Sequence, residues 1–368
     1  MSENKIIIAV GGTAGHVYPA LAVAHRLTQL ESSLSVLFLG GGLSSNRFFD
    51  PGIFPYRDIS CSSFSLRKPL QFFTGGRSIL RGIGQSYRCF KHWGPSLVIG
   101  FGSYYTLPVL LAAKWAKVPY VLHEQNRIPG RVNRLFSRHA LFTGICFPEA
   151  GSLLKGKTVD VEMPLRQIFS ETFSSKESAR ESYGLDPTKP VVLVFGGSQG
   201  AHAINRLIDK GVQESDAHSL QFLHFTGDPA STRQLQQRYH SCGIQACVKD
   251  YESNMPIAWK AADIVVSRAG SGTISEQIAC GVPGILIPYP FSMDNHQEKN
   301  ADSMEAIGAG KKLRENTLTP RTLREEIYRM LDADQLKRSQ QAIKNYREER
   351  QVQDFSQSIC QLLMGETS

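Results

Sequence analysis

The chain has 368 residues, 41% of them hydrophobic and 20% charged, with a formal net charge of +8. This describes a globular protein too long for one ordinary core, so two domains are expected. Seven scattered cysteines with no C-x-x-C pair argue against a disulfide framework or a zinc site, and neither a signal peptide nor an apolar run of about 18 residues is present to suggest export or a membrane span.

Residues 5–10 read as an apolar, β-branched strand that runs straight into Gly11-Gly12-Thr13-Ala14-Gly15-His16. Pro19 falls in the first turn of a helix carrying Leu21, Ala22 and Leu27, which places the glycine turn at a helix N-terminus. Unpaired backbone N–H groups and the positive end of the helix dipole favour an anion there. His16, beside this turn, is the candidate general base, because imidazole titrates near neutrality; the competing reading is a histidine that only hydrogen-bonds at a helix start. Further strands at 35–39, 97–100, 120–123 and 140–143, with a helix at 108–116, predict a parallel, doubly wound sheet. His123-Glu124-Gln125-Asn126 ends one strand with four polar residues in succession, either as binding groups or as closure of the next loop.

No acidic residue lies between Asp58 and Glu124. In the same stretch Arg67, Lys68, Arg77, Arg81, Arg88 and Lys91 are interleaved with Phe64, Leu66, Phe72, Phe73, Ile79, Leu80, Phe90 and Trp93. Such a pattern suits an anionic membrane surface, the alternative being a basic, partly buried connection. No recognised nucleic-acid motif accompanies it, so no nucleic-acid partner is expected.

The domain boundary is placed near Met163-Pro164, giving domains at 1–163 and 164–343, with a helical segment at 344–368 packing back on the first. Ser174 and Glu177 have capping-box spacing, and Gly184 with Pro187 ends that helix. VVLVFGGSQGA, from Val191, repeats the theme of IIIAVGGTAGH, from Ile6. Strands at 221–225, 245–248, 264–267 and 285–287 continue a second sheet. The most informative stretch begins at Asp263: strand, then Gly270-Ser271-Gly272-Thr273, then a helix with Ile274, Ile278 and Ala279 at helical spacing, closed by an αL cap at Gly281 and by Pro283. Glu276 in this helix suits ribose hydroxyls beside a bound phosphate. Asn295, His296, Gln297 and Asn300 offer further amide and imidazole groups, and Thr319-Pro320 starts another helix.

Two doubly wound domains would present their strand C-terminal ends to a ligand cleft. A dehydrogenase is disfavoured, since G-x-G-x-x-G does not fit Gly11 to Gly15 and no carboxylate follows Leu39-Gly40-Gly41. The one D-x-D, Asp332-Ala333-Asp334, sits at a helix end with no accompanying ligand set, so no metal is expected.

Taken together, GGTAGHVYPALAVAHRL, HEQN at 123–126, VFGGSQGAHAIN, and SRAGSGTISEQIACGVPGILIPYP followed by HQEKNA resemble the peptidoglycan N-acetylglucosaminyltransferases that convert lipid I to lipid II. These are GT-B enzymes of glycosyltransferase family 28 with two facing Rossmann-like domains. The resemblance implies donor contacts at Thr13, Ala14, Gly15, Asn126, Arg166, Ser198, Gly270, Ser271, Thr273 and Gln297. It keeps Glu276 with His16 as the pair central to the chemistry, Glu276 on the ribose, and puts the uracil near Tyr251-Glu252. Gly12, His123 and Glu124 are the implied acceptor side, and His16 would deprotonate the muramyl C4 hydroxyl. The resemblance further implies UDP-GlcNAc and lipid I as substrates, no cofactor, a peripheral position at the cytoplasmic face of the plasma membrane, and cell-wall synthesis proteins as candidate partners. The remaining alternatives are another GT-B enzyme, such as a soluble-acceptor glycosyltransferase or a UDP-GlcNAc 2-epimerase, or a nucleotide-regulated membrane-surface protein. Three departures stand out: Ala14 where the family usually has glycine, Glu162-Met163-Pro164-Leu165-Arg166 for Gly-Asn-Pro-Val-Arg, and Gly272 at a usually apolar position.

Overall fold

Short runs such as Ile6-Ile7-Ile8 and Val191-Val192-Leu193-Val194 are apolar on both faces of a strand. They can be satisfied only in a parallel sheet covered on both sides by helices. The computed structural model describes residues 4–61, 69–165, 175–197, 201–213 and 219–365, and within 69–74 the backbone alone. It divides into two compact units, one of residues 1–166 with 351–368 and one of residues 167–350.

The first unit holds β1 (Lys5–Ala9), α1 (Ala14–Leu30), β2 (Ser35–Gly40), β3 (Tyr56–Asp58), α2 (Pro69–Trp93), β4 (Leu97–Gly100), α3 (Leu107–Ala116), β5 (Tyr120–Glu124), α4 (Arg131–Phe136), β6 (Thr143–Ile145) and β7 (Thr158–Asp160). The strands form one sheet in the order β3-β2-β1-β4-β5-β6-β7, with every pair parallel. Ile6, Ile7, Ile8, Val98 and Ile99 are fully buried in it. The expected strand at 140–143 starts at Thr143 instead, because Ser137–His139 makes a 3₁₀ turn first and Ala140 lies in an extended cap.

The second unit holds α5 (Lys176–Ser182), β8 (Val191–Phe195), α6 (His202–Gln213), β9 (Gln221–Phe225), α7 (Pro229–Ser241), β10 (Ala246–Lys249), α8 (Met255–Ala261), β11 (Ile264–Ser267), α9 (Ser271–Cys280), β12 (Gly284–Leu286), α10 (His296–Ala306), β13 (Gly310–Lys312), α11 (Pro320–Leu331) and α12 (Ala333–Glu349). Its sheet runs β10-β9-β8-β11-β12-β13, again all parallel. α5 is capped by Ser175, whose hydroxyl accepts from the Ser178 N–H at 3.2 Å; Ser174 of the expected capping box is outside the described residues. Thr319 caps α11 as expected, with Pro320 in its first turn. Asp332 caps α12 by accepting from the Gln335 N–H, which gives the D-x-D aspartate a helix-capping job.

Residues 344–350 belong to α12 or its end in the second unit, and only 351–368 join the first. There α13 (Phe355–Met364) packs against α1. Phe355 is 2% exposed and meets Phe101, His123 and Phe142 edge-on. A Cβ on Gly144 of β6 would lie 2.6 Å from the Phe355 ring, so glycine at 144 is what admits it. Among the described residues no helix is long and apolar enough to cross a membrane.

Candidate active site

In the first unit β1 pairs with β2 on one side and β4 on the other. Its connections therefore depart in opposite directions, and a crevice opens beyond the carboxyl ends of β1 and β4, the usual ligand position in such sheets. Ala9 is level with Gly100, so the Gly11-Gly12 turn lies beside the segment that follows β4. Gly12 has φ +94°, a conformation that side chains resist, and a Cβ on Gly11 would come within 2.7 Å of the Tyr105 Cβ. The Ser103 hydroxyl donates to the Gly11 carbonyl at 3.1 Å and the Asn46 amide to the Gly12 carbonyl at 2.8 Å. The turn is thus held by its oxygens, and within the first turn of α1 the His16 N–H returns to the Thr13 carbonyl at 3.0 Å. Thr13 caps the helix and is exposed, Gly15 is half-buried, and Ala14 is 7% exposed. The alanine that replaces the usual glycine therefore tucks its methyl into the unit.

His16 is half-buried on α1. Its Nδ1 lies 2.7 Å from the Phe101 carbonyl oxygen. A carbonyl can only accept, so Nδ1 carries the proton and Nε2 carries the lone pair. The Gln125 side-chain amide also lies 2.7 Å from Nδ1, and a protonated Nδ1 requires the amide to present its oxygen there. Two acceptors on one N–H fix the ring orientation. This is the arrangement a general base needs.

The other members of the 123–126 group are used differently. His123 is fully buried against Phe101 and Phe355, and burial pushes its pKa down to about 3, so it is neutral. Glu124 is 2% exposed. One carboxylate oxygen accepts from the Asn126 N–H at 2.9 Å and the other from the Gly130 N–H at 2.8 Å and the Asn133 amide at 2.9 Å. Burial raises its pKa, and these donors oppose the rise. Glu124 thus anchors the loop that presents half-buried Asn126, while the His123 ring packs into the core behind it.

The second unit repeats the plan: β8 lies between β9 and β11, and Phe195 is level with Ser267, so Gly196-Gly197 and the Gly270 turn flank its switch point. Gly270 caps α9, Ser271 is buried, and Thr273 is half-buried. Gly281 has φ +69° and closes the helix. Glu276 sits in the second turn of α9, where the Trp259 indole N–H donates to one carboxylate oxygen at 2.8 Å. Trp259 is itself fully buried on α8, so the carboxylate hangs from a rigid post. Gln297 accepts from the Tyr289 N–H at 2.8 Å through its carbonyl oxygen, which leaves its NH₂ as the donor to offer. Arg268, 8% exposed, donates to the Ile287 and Pro288 carbonyls, pairs with Glu315 at 2.5 Å and lies over the Tyr289 ring, holding the start of the loop that leads to Gln297. Exposed Tyr251 precedes Glu252, which is tied to Lys249 and the Asn254 N–H. Arg166 and Ser198 lie outside the described residues.

Two family models match the chain. The glycosyltransferase family 28 N-terminal domain matches residues 6–144 and the corresponding C-terminal domain matches 191–359. The chain belongs to glycosyltransferase family 28. It is similar to the UDP-N-acetylglucosamine--N-acetylmuramyl-(pentapeptide) pyrophosphoryl-undecaprenol N-acetylglucosamine transferase of Protochlamydia amoebophila, at 41% identity over 98% of this chain and 96% of that one. The protein of the same name from Chlamydia felis is 36% identical over 98% and 99%. Acinetobacter baumannii MurG superposes with a TM-score of 0.77 over 98% and 99% of the two chains at 24% identity, which speaks to the fold. As a family 28 glycosyltransferase, the chain is built of two parallel-sheet, Rossmann-like domains of the GT-B class.

Sequence reasoning missed Ser103, Tyr105, Asn46, Asn133, Trp259 and Arg268. Ser103 and Tyr105 had a readable signal, a Gly-flanked polar run directly after a buried strand. Asn133 and Trp259 had none, because each acts on a partner in another element.

Proposed function

We propose that this protein transfers GlcNAc from UDP-GlcNAc to the muramyl C4 hydroxyl of undecaprenyl-pyrophosphoryl-MurNAc-pentapeptide, lipid I, with inversion and without a metal, giving lipid II. The orientation of His16, with its proton held at Nδ1 by the Phe101 carbonyl, is the observation that carries the reading. Nε2 takes the hydroxyl proton as the oxygen bonds to the anomeric carbon, and the bond from that carbon to the diphosphate oxygen breaks, with UDP leaving on its electron pair. The amide end and dipole of α9 meet the charge that gathers on the departing diphosphate. Glu276, braced by Trp259, accepts from the ribose, and Gln297 donates to the sugar. Thr13, Ala14, Gly15, Asn126, Arg166, Ser198, Gly270, Ser271 and Thr273 complete the donor contacts. Gly12 takes the acceptor side, and Glu124, anchoring its loop, and His123, packed behind it, shape it.

The acceptor places the enzyme at the cytoplasmic face of the plasma membrane, where further cell-wall synthesis proteins are its candidate neighbours. The α2–α3 surface supports this, with Leu80 71% and Trp115 75% exposed on helices that also expose Arg77, Arg81 and Lys114. Incubation with UDP-GlcNAc, a lipid I analogue and EDTA is expected to yield lipid II and UDP. Consumption of UDP-GlcNAc without acceptor, or product from a different acceptor only, would overturn the assignment.

A further inference from the structure

At the outer edge of the first sheet, β3 and α2 flank an open cavity of about 450 Å³ lined by Arg57, Asp58, Ile59, Gln85, Arg88, Cys89 and His92. Its geometry follows from one glycine. A Cβ on Gly82 would lie 2.2 Å from the Ser60 carbonyl oxygen, so α2 rests directly on the end of β3 there. One turn on, Gln85, Arg88, Cys89 and His92 recur at helical spacing and face the strand across the gap.

The polar groups around this gap are nearly all donors. Gln85 spends its carbonyl oxygen on the Ser60 N–H at 2.7 Å, which leaves its NH₂. Arg88 donates Nε to the Gly84 carbonyl at 3.3 Å, which leaves both terminal nitrogens. His92 Nδ1 is 2.8 Å from the Arg88 carbonyl and so carries its proton. Arg57 hydrogen-bonds the Cys89 thiol, partly opposing the rise in pKa that burial imposes on it. The lone carboxylate in the lining, Asp58, is already engaged, its oxygens accepting from the Leu43 N–H at 2.6 Å and the Ser44 N–H at 3.3 Å. Neither arginine has a carboxylate partner among the described residues, and α2 can supply none, since the sequence from 59 to 123 contains no acidic residue.

Two guanidinium groups and an amide facing a space this size, with the single carboxylate Asp58 turned to backbone N–H groups, call for an anion with several oxygens. We propose that the β3–α2 cavity is a second ligand site, separate from the transfer chemistry, that binds a phosphate-bearing group through Arg57 and Arg88. The volume falls within the range of small-molecule sites and exceeds what a bare phosphate fills, so the ligand is a phosphate ester or a diphosphate. Its phosphate belongs either to a soluble molecule or to a lipid headgroup.

Calorimetry of the full-length protein at low ionic strength, with pyrophosphate and with phosphatidylglycerol or phosphatidylcholine vesicles, tests this. Arg57→Gln and Arg88→Gln are measured against Arg138→Gln, which removes the same charge from an exposed position of the same unit, outside both the cavity and the α2–α3 surface. Each cavity variant is expected to weaken binding about tenfold or more, as loss of a charge-assisted contact does, while Arg138→Gln changes it little. Pyrophosphate binding with this pattern identifies a soluble ligand. The same pattern with phosphatidylglycerol vesicles alone identifies a headgroup. Equal losses in all three variants would reduce the effect to diffuse charge, and unchanged binding in the cavity variants would place the anion elsewhere; either overturns the proposal.

Discussion

Substituting Gln125→Glu tests the role of His16 through its far nitrogen. Gln125 is 2% exposed and its amide lies 2.7 Å from His16 Nδ1, so the new carboxylate replaces a neutral acceptor by an anionic one at nearly the same place. A hydrogen bond to a charged group contributes about 1.5–3 kcal/mol against about 0.5–1.5 for a neutral one. The excess favours the imidazolium over the imidazole, because only the charged ring gains the full ion pair. At about 1.4 kcal/mol per pKa unit, the His16 pKa should rise by about one unit, up to two. A general base works in its deprotonated form, so raising its pKa moves the acid limb of the kcat/KM profile to higher pH. The variant should therefore be slow near pH 6 and recover at pH 9, where both proteins hold a neutral ring. Gln125→Leu, which removes the acceptor without adding charge, should leave the limb within about half a unit, the Phe101 carbonyl still holding Nδ1. A limb that stays put in a folded Gln125→Glu protein would remove His16 as the base.

The fold was legible in the sequence because its determinants are local. Continuous apolar β-branched runs ending in glycine turns, followed by helical periodicity, reproduce themselves as β1 with α1, β8 with α6 and β11 with α9. The short edge strands β3, β7 and β13, three residues each, carry no such run and were not anticipated. At the candidate site, the glycine turns that open α1 and α9 were readable from their own residues. The division of labour within His123-Glu124-Gln125-Asn126 was not. A polar run at a strand end looks alike whether its side chains face a ligand, a loop or the core, and only the packing of Phe355 and Asn133 separates those outcomes. Trp259 is a core aromatic, and that its N–H also braces Glu276 depends on where α8 meets α9.

The remaining predictions concern His16, Glu276 and the stability of each unit. His16→Ala should lower kcat by about 10²-fold or more with UDP affinity retained, and steady-state kinetics with wild-type turnover would refute the base assignment. Glu276→Ala should weaken UDP binding by about tenfold, as expected for loss of a charge-assisted bond to the ribose; calorimetry giving an unchanged Kd would refute that contact. Acid should destabilise both units, because each buries a neutral histidine. His123 and His224 are fully buried, and burial lowers both pKa values from 6.5 to about 3. Between those values the unfolded chain binds a proton that the folded protein does not, so stability is lost as pH falls below about 6.5, by roughly 1.4 kcal/mol per pH unit for each histidine. His224 links the Tyr239 hydroxyl at 3.1 Å to the Asn205 carbonyl oxygen at 3.1 Å, and Gln in its place keeps a donor and an acceptor but does not titrate. His224→Gln should therefore be less stable at pH 7.5 yet lose less between pH 7.5 and 5.5, a window above the usual carboxylate range. Urea unfolding of the two proteins across that window reads the difference directly, and parallel slopes would mean that His224 is not kept neutral by its burial.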